Sequence, residues 1–167
     1  MDLTPYRRTY GPFPLERRDR PASPEEFAGI AKRGKDPVGA GGLIWDARSC
    51  ILLVRHAPGR GWEPGWATPG GLAEPGESPE ACFVRETLEE TGVAVRIDGL
   101  TKVLLYQVVN ESRVVPFTFF QFEGKAVGGT SRPGKEIAEV AWFDRFPAAM
   151  HFRGDYVEPW MRRRPSL

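Results

Sequence analysis

An α/β fold is what this sequence predicts. Two stretches begin with the Ser-Pro signature of a helix start, at Ser23-Pro24 and Ser78-Pro79, and apolar β-prone runs lie on either side of the second. The length of 167 residues fits one domain with an added terminal segment.

In chain order, residues 1 to 22 are rich in Pro, Arg and aromatic side chains with no steady period, so they read as an irregular arm. Arg17, Arg18 and Arg20 in it have the usual look of a solvated charge run. From Ser23 to Arg33 a short helix is expected. Ser23 serves as N-cap, Pro24 stands at the first helical position, and Glu25 and Glu26 complement the helix dipole. Val38 to Trp45 and Ile51 to Arg55 flank a polar Asp46-Ala47-Arg48-Ser49 break, the pattern of a hairpin. The Gly- and Pro-dense HAPGRGWEPGWATPGG that follows is a tight loop, with Trp62 and Trp66 as packing anchors.

Ser78 and Pro79 open, and Thr91-Gly92 close, a helix over residues 79 to 91. Strand-like runs follow at Val93 to Ile97, Leu100 to Val109, Val114 to Phe122 and Glu139 to Phe143, and a short helix plus a basic tail ends the chain from about Phe146.

Composition narrows the function. With 41% hydrophobic and 27% charged residues the chain can close a core. Its 23 Lys and Arg against 22 Asp and Glu leave a net charge of +1, so total charge points to neither nucleic acid nor an anionic membrane. Cys50 and Cys82 fit reduced, buried thiols. No apolar run approaches the roughly 18 residues of a membrane span and the first twenty residues show no signal-peptide pattern, which makes the cytoplasm the default location. The GAGG at 39 to 42 lacks the third glycine of a dinucleotide fingerprint, and no P-loop, HExxH, CxxC or GxSxG occurs.

The chemistry concentrates on the second helix. Residues advance by about 100° each, so Glu86, Glu89 and Glu90 fall within one arc, and Glu77 lies just before the helix, where a Gly-rich approach can turn it toward the same face. Isolated glutamate pairs usually decorate solvated helices. Four carboxylates around one volume repel one another unless a divalent cation reverses the sign, and oxygen donors without nearby His or Cys suit Mg²⁺ rather than Zn²⁺.

The stretch GLAEPGESPEACFVRETLEETGV matches the Nudix box, G-x5-E-x7-R-E-U-x-E-E-x-G-U with U aliphatic. Gly71, Glu77, Arg85, Glu86, Glu89, Glu90, Gly92 and Val93 all sit in register, after a WATPGG lead-in. The chain therefore resembles the Nudix hydrolase family over most of residues 38 to 145. Two positions depart from the pattern: Thr87 and Thr68 stand where the family commonly has aliphatic residues. Phe83, where Ala is common, lies one turn before Thr87, so the two positions are expected to exchange bulk.

The resemblance implies an α/β/α sandwich with a mixed β-sheet over residues 36 to 150, preceded by an extension with a short helix (1 to 35) and followed by a basic tail (151 to 167). It implies that Glu86, Glu89 and Glu90 hold Mg²⁺ or Mn²⁺ with help from Glu77 and the Gly70 carbonyl, and that Arg85 orients a box carboxylate. The implied activity is hydrolysis of a phosphoric anhydride bond in a small nucleotide-like molecule, a nucleoside diphosphate linked to another moiety such as ribose (ADP-ribose) or a sugar. A proton acceptor is expected either in the box or at Glu136, which sits beside Lys135 in a later loop. Arg55, Arg132 and Lys135 are candidate phosphate contacts, and His56 reads as structural or solvated. The aromatic run FTFFQF at 117 to 122 alternates across a strand, so part of it packs the core and part is free to stack a base. Homodimers are frequent in the family. Two rival readings are a ligand sensor or interaction module that keeps the fold without turnover, and a hydrolase of RNA 5′ ends, which the Arg-rich termini would favour.

Overall fold

The computed structural model describes residues 1–58 and 64–163, so the expectation for Trp62 lies outside the described residues. In order the elements are α1 (Thr4–Tyr10), β1 (Leu15–Pro21), α2 (Pro24–Ala31), β2 (Val38–Trp45), β3 (Ile51–His56), β4 (Gly70–Leu72), α3 (Pro79–Thr91), β5 (Val93–Asn110), β6 (Arg113–Gly129), β7 (Ile137–Phe143) and α4 (Arg153–Arg163). A seven-stranded sheet runs β1-β5-β6-β2-β3-β7, with β4 attached to β2. It is mixed: β1 runs parallel to β5 and β2 parallel to β6, and the remaining pairs are antiparallel.

The arm expected over residues 1 to 22 is instead a helix and an edge strand of this sheet, paired from Leu15↔Val103 to Pro21↔Val109. Its side chains alternate, but the half-buried ones are Glu16, Arg18 and Arg20 while Leu15 is exposed. Ion pairs hold the inward face, so no apolar alternation marks the strand. The hairpin is also looser than its sequence suggests. Asp46 Oδ1 accepts from the amides of Arg48 and Cys50, each at 2.8 Å, and forms the turn. Beyond Trp45↔Ile51 the strands separate, β2 passing to β6 and β4 and β3 to β7. The two runs read from Val93 and Leu100 are one strand that carries irregularities at Ile97/Gly99 and Leu100/Lys102.

Helices cover both faces, giving the expected sandwich. On one, α3 and α1 pack Cys82, Phe83, Tyr6 and Tyr10 against Ile44, Leu52, Phe120 and Phe122. On the other, α2 sets Phe27 and Ile30 over Leu104, Tyr106 and Phe117, while α4 brings Tyr156 against Leu43, Trp45 and Leu53. α3 has the bounds the sequence predicts. Ser78 Oγ accepts from the Ala81 amide at 3.2 Å, and Gly92 closes the helix at φ 70°, a conformation that glycine adopts without strain. Phe83 and Thr87 are both fully buried one turn apart, with Phe83 stacked on Phe122 at 5.6 Å, as the exchange of bulk requires. The Thr87 hydroxyl has no hydrogen-bond partner. No described helix is long and apolar enough to cross a membrane.

Candidate active site

α3 presents its carboxylates to β4 across a gap with no spare room. A Cβ on Gly71 would lie 2.6 Å from the Glu86 carboxyl group, so only glycine leaves that side chain its place. Glu86 accepts from Arg85 Nη1 at 2.9 Å. The same guanidinium grips both oxygens of Glu77, at 2.8 Å from Nε and from Nη2, and reaches the Leu72 carbonyl at 3.2 Å and Glu89 at 3.1 Å. Arg85 thereby staples the Gly-rich approach to the helix, and its hydrogen bond holds the Glu77 carboxyl below the usual range.

The arc of glutamates divides in the folded protein. Glu89 is exposed, while Glu86 and Glu90 line a cavity of about 610 Å³. Glu90 accepts from the Gly70 amide at 3.0 Å. Burial pushes its carboxyl up to about 8, and the charges of Glu86, Glu136 and Glu89 add to the rise. Burial raises Glu86 too, against the pull of Arg85. Half-buried acids side by side in a cavity wall are a donor set that a hard cation would stabilise. Among the described residues, however, no three carboxylate, imidazole or thiolate groups converge on one point, since Arg85 draws Glu77, Glu86 and Glu89 to itself.

Glu136 reaches the same place by a different route. The loop before β7 docks on the last turn of α3, where the Arg132 and Gly134 amides donate to the carbonyls of Thr91 and Glu90 at 2.8 and 2.9 Å. Those carbonyls are among the ones a helix end leaves without partners. The docked loop sets Glu136 at the cavity mouth near Glu90. His56, at the bulged end of β3, and His151 also line this mouth. Burial lowers the His56 pKa while Glu136 opposes the shift. Arg55 pairs with Glu139 on the neighbouring strand and lies 5.5 Å from the Trp66 ring. Arg55, Arg132 and Lys135 are not in the cavity wall.

Away from the acids the cavity turns aromatic. Its floor is the sheet face carrying Leu104, Tyr106, Phe117, Phe119 and Gln121. Gly39 and Gly41 of β2 leave two of these rings their place, because a Cβ on Gly39 would come within 2.7 Å of the Phe117 ring and one on Gly41 within 3.0 Å of the Phe119 ring. Ile30 of α2 and Arg33 just after it form one wall, and Asp155 and Tyr156 of α4 another. Thr68 joins the lead-in to α4 through a 2.8 Å hydrogen bond with the Tyr156 hydroxyl, which accounts for a polar residue where an aliphatic one is common. Gln121, Asp155 and Tyr156 carried no site signal in the sequence beyond the alternation of residues 117 to 122.

Comparison with known proteins agrees with this geometry. The family model described as NUDIX domain matches residues 35–157. A MutT-like protein of Streptomyces ambofaciens is 34% identical over 105 residues, covering 63% of this chain and 62% of that protein, so the chain spans less than two thirds of its length. An 8-oxo-dGTP diphosphatase of Escherichia coli K12 is 30% identical over 110 residues, which cover 65% of this chain and 85% of the relative. Among solved structures, a NUDIX hydrolase from Nitrosomonas europaea superposes with a TM-score of 0.60 at 25% identity, over 80% of this chain and 77% of its own.

Proposed function

The chain belongs to the NUDIX family, and on that premise we propose that it hydrolyses the pyrophosphate bond of a small nucleotide-like molecule, a nucleoside diphosphate linked to a further moiety. The observation that carries this reading is the half-buried pair Glu86 and Glu90 lining a cavity whose floor is aromatic. One end suits phosphates with a cation, and the other suits a flat ring.

Glu86, Glu89 and Glu90, with Glu77 and the Gly70 carbonyl, are the residues that would hold Mg²⁺ or Mn²⁺. When bound, the cation supplies charge neutralisation of the pyrophosphate and a bound water of lowered pKa. The chain's own groups do the positioning. Gly70 N–H orients Glu90, Arg85 fixes Glu77 and Glu86, and Gly71 leaves the space that Glu86 occupies. Glu136 is the general base in this reading, set beside Glu90 by the docked loop. Arg132 and Lys135, exposed on that loop, and Arg55 at the end of β3 would meet substrate phosphates from the rim. Of the arginines in the terminal segments, Arg18, Arg20 and Arg163 are held in ion pairs with Asp155, Glu26 and Asp98.

The test is turnover by the purified chain of ADP-ribose, nucleotide sugars, nucleoside triphosphates, 8-oxo-dGTP and capped RNA, with Mg²⁺ or with EDTA. The oxidised nucleotide is included because the E. coli relative bears its name. Mg²⁺-dependent release of a nucleotide product from a small-molecule member is expected. Glu90→Gln should lower kcat by at least about a hundredfold and abolish the Mg²⁺-dependent rise in Tm, without lowering the Tm of the metal-free protein. Turnover of no panel member would favour the sensor reading.

A further inference from the structure

Gln121 is 1% exposed, lines the cavity floor and carries a side-chain oxygen with no hydrogen-bond partner. The other end of the amide is committed, since Nε2 donates to the Asp155 carbonyl at 2.9 Å. Rotating the amide would set Oε1 against that carbonyl, acceptor against acceptor, so its orientation is fixed. The partner is itself held firmly. Asp155 is bound by Arg18 at 2.7 and 3.0 Å and by Lys102 at 3.4 Å, while Thr101 Oγ1 donates to the Gln121 backbone carbonyl at 2.8 Å. A buried acceptor kept without a donor is unfavourable, and a rigid frame around it keeps the protein from relaxing to satisfy it.

Phe117 and Phe119 stand at alternate positions before Gln121 on β6, so two rings and the amide share one face of the strand. The two rings are tilted 56° to each other, and Phe119 is the more exposed of them; one aromatic face beside a fixed acceptor matches a planar heterocycle that presents an N–H at its edge. We infer that Gln121 Oε1 reads a base N–H, an exocyclic amine or a ring imide, of a nucleobase stacked on Phe119. This inference rests on the nucleotide-like substrate proposed above and names the residue that selects its base.

Nucleosides are the suitable probes, because they carry no charge for the acidic mouth to repel and no bond for the protein to cut. Dissociation constants are measured in EDTA for adenosine against purine riboside, inosine against 1-methylinosine, uridine against 3-methyluridine, and cytidine against its N4,N4-dimethyl form. Methyl riboside serves as the probe without a base. In at least one pair the parent should bind about tenfold tighter than its partner without the N–H, and Gln121→Met should remove that difference while leaving methyl riboside binding unchanged. Equal binding within all four pairs by the unaltered protein would overturn the proposal, and this comparison stands even if the variant does not fold. So would a Gln121→Met variant that weakens methyl riboside as much as the nucleosides, since that is the mark of a purely structural tether. Failure of hydrolysis in the substrate panel would leave this binding result intact, so the two readings fall separately.

Discussion

Thr87 carries a hydroxyl into a fully buried position where no acceptor or donor meets it, in the turn that follows Phe83. Replacing it by the nearly isosteric valine should remove the cost of a buried unpaired group. We expect Thr87→Val to stabilise the protein by about 1 kcal/mol, which calorimetry would read as a rise in Tm of roughly 2 to 4 °C. A fall in Tm would show that the hydroxyl has a role in packing. The acidic residues of the site were legible in the sequence because their spacing is local: Glu86 and Glu90 are one turn apart, and Arg85 and Glu77 fall within the same motif. Glu136 was legible only through the family resemblance. Gln121 was not legible, because what makes it unusual is the 34 positions that separate it from Asp155 and the fold that removes them.

Helix α3 and strand β4 form the unit on which the carboxylates depend. Alanine at residue 71 would press on the far end of the Glu86 side chain, which can swing aside, and not on backbone. Gly71→Ala should therefore leave Tm nearly unchanged and lower kcat by about a hundredfold through misplacement of Glu86. Unfolding of the variant, or unimpaired turnover, would contradict this account of the glycine. The helices α2 and α3 could be read from their caps, since Ser23 and Ser78 each accept from the amide three residues on, at 3.2 Å. β4 could not, being only 3 residues long and mostly glycine, with no side chains to declare a strand. β1 escaped for the opposite reason: its inward side chains are Glu16, Arg18 and Arg20, and a search for apolar alternation passes over them.

At the scale of the whole molecule, Arg18 of β1 and Asp155 of α4 join the chain's first strand to its last helix through a two-pronged ion pair. Arg18→Met should cost roughly 2 kcal/mol, below the full cost of breaking a buried pair because Lys102 still reaches Asp155 and Arg18 is partly exposed. Denaturant unfolding would measure it, and an unchanged midpoint would remove the pair from the account of stability. The layered architecture could be read from the motif and the succession of elements. The strand order could not, because β1 beside β5 and β2 beside β6 are parallel pairings between distant segments that local pattern does not encode. These pairings also order events in time. A ribosome adds about 5 to 20 residues per second, so β1 leaves it roughly 4 to 18 seconds before its partner strand β5, 88 positions later, and roughly 7 to 27 seconds before Asp155, 137 positions later, exists to meet Arg18. Until β5 is made, β1 is a strand without a sheet neighbour, the kind of segment that seeds aggregation when apolar. The same arginines and acids that conceal it from a hydrophobicity reading keep it in solution while it waits.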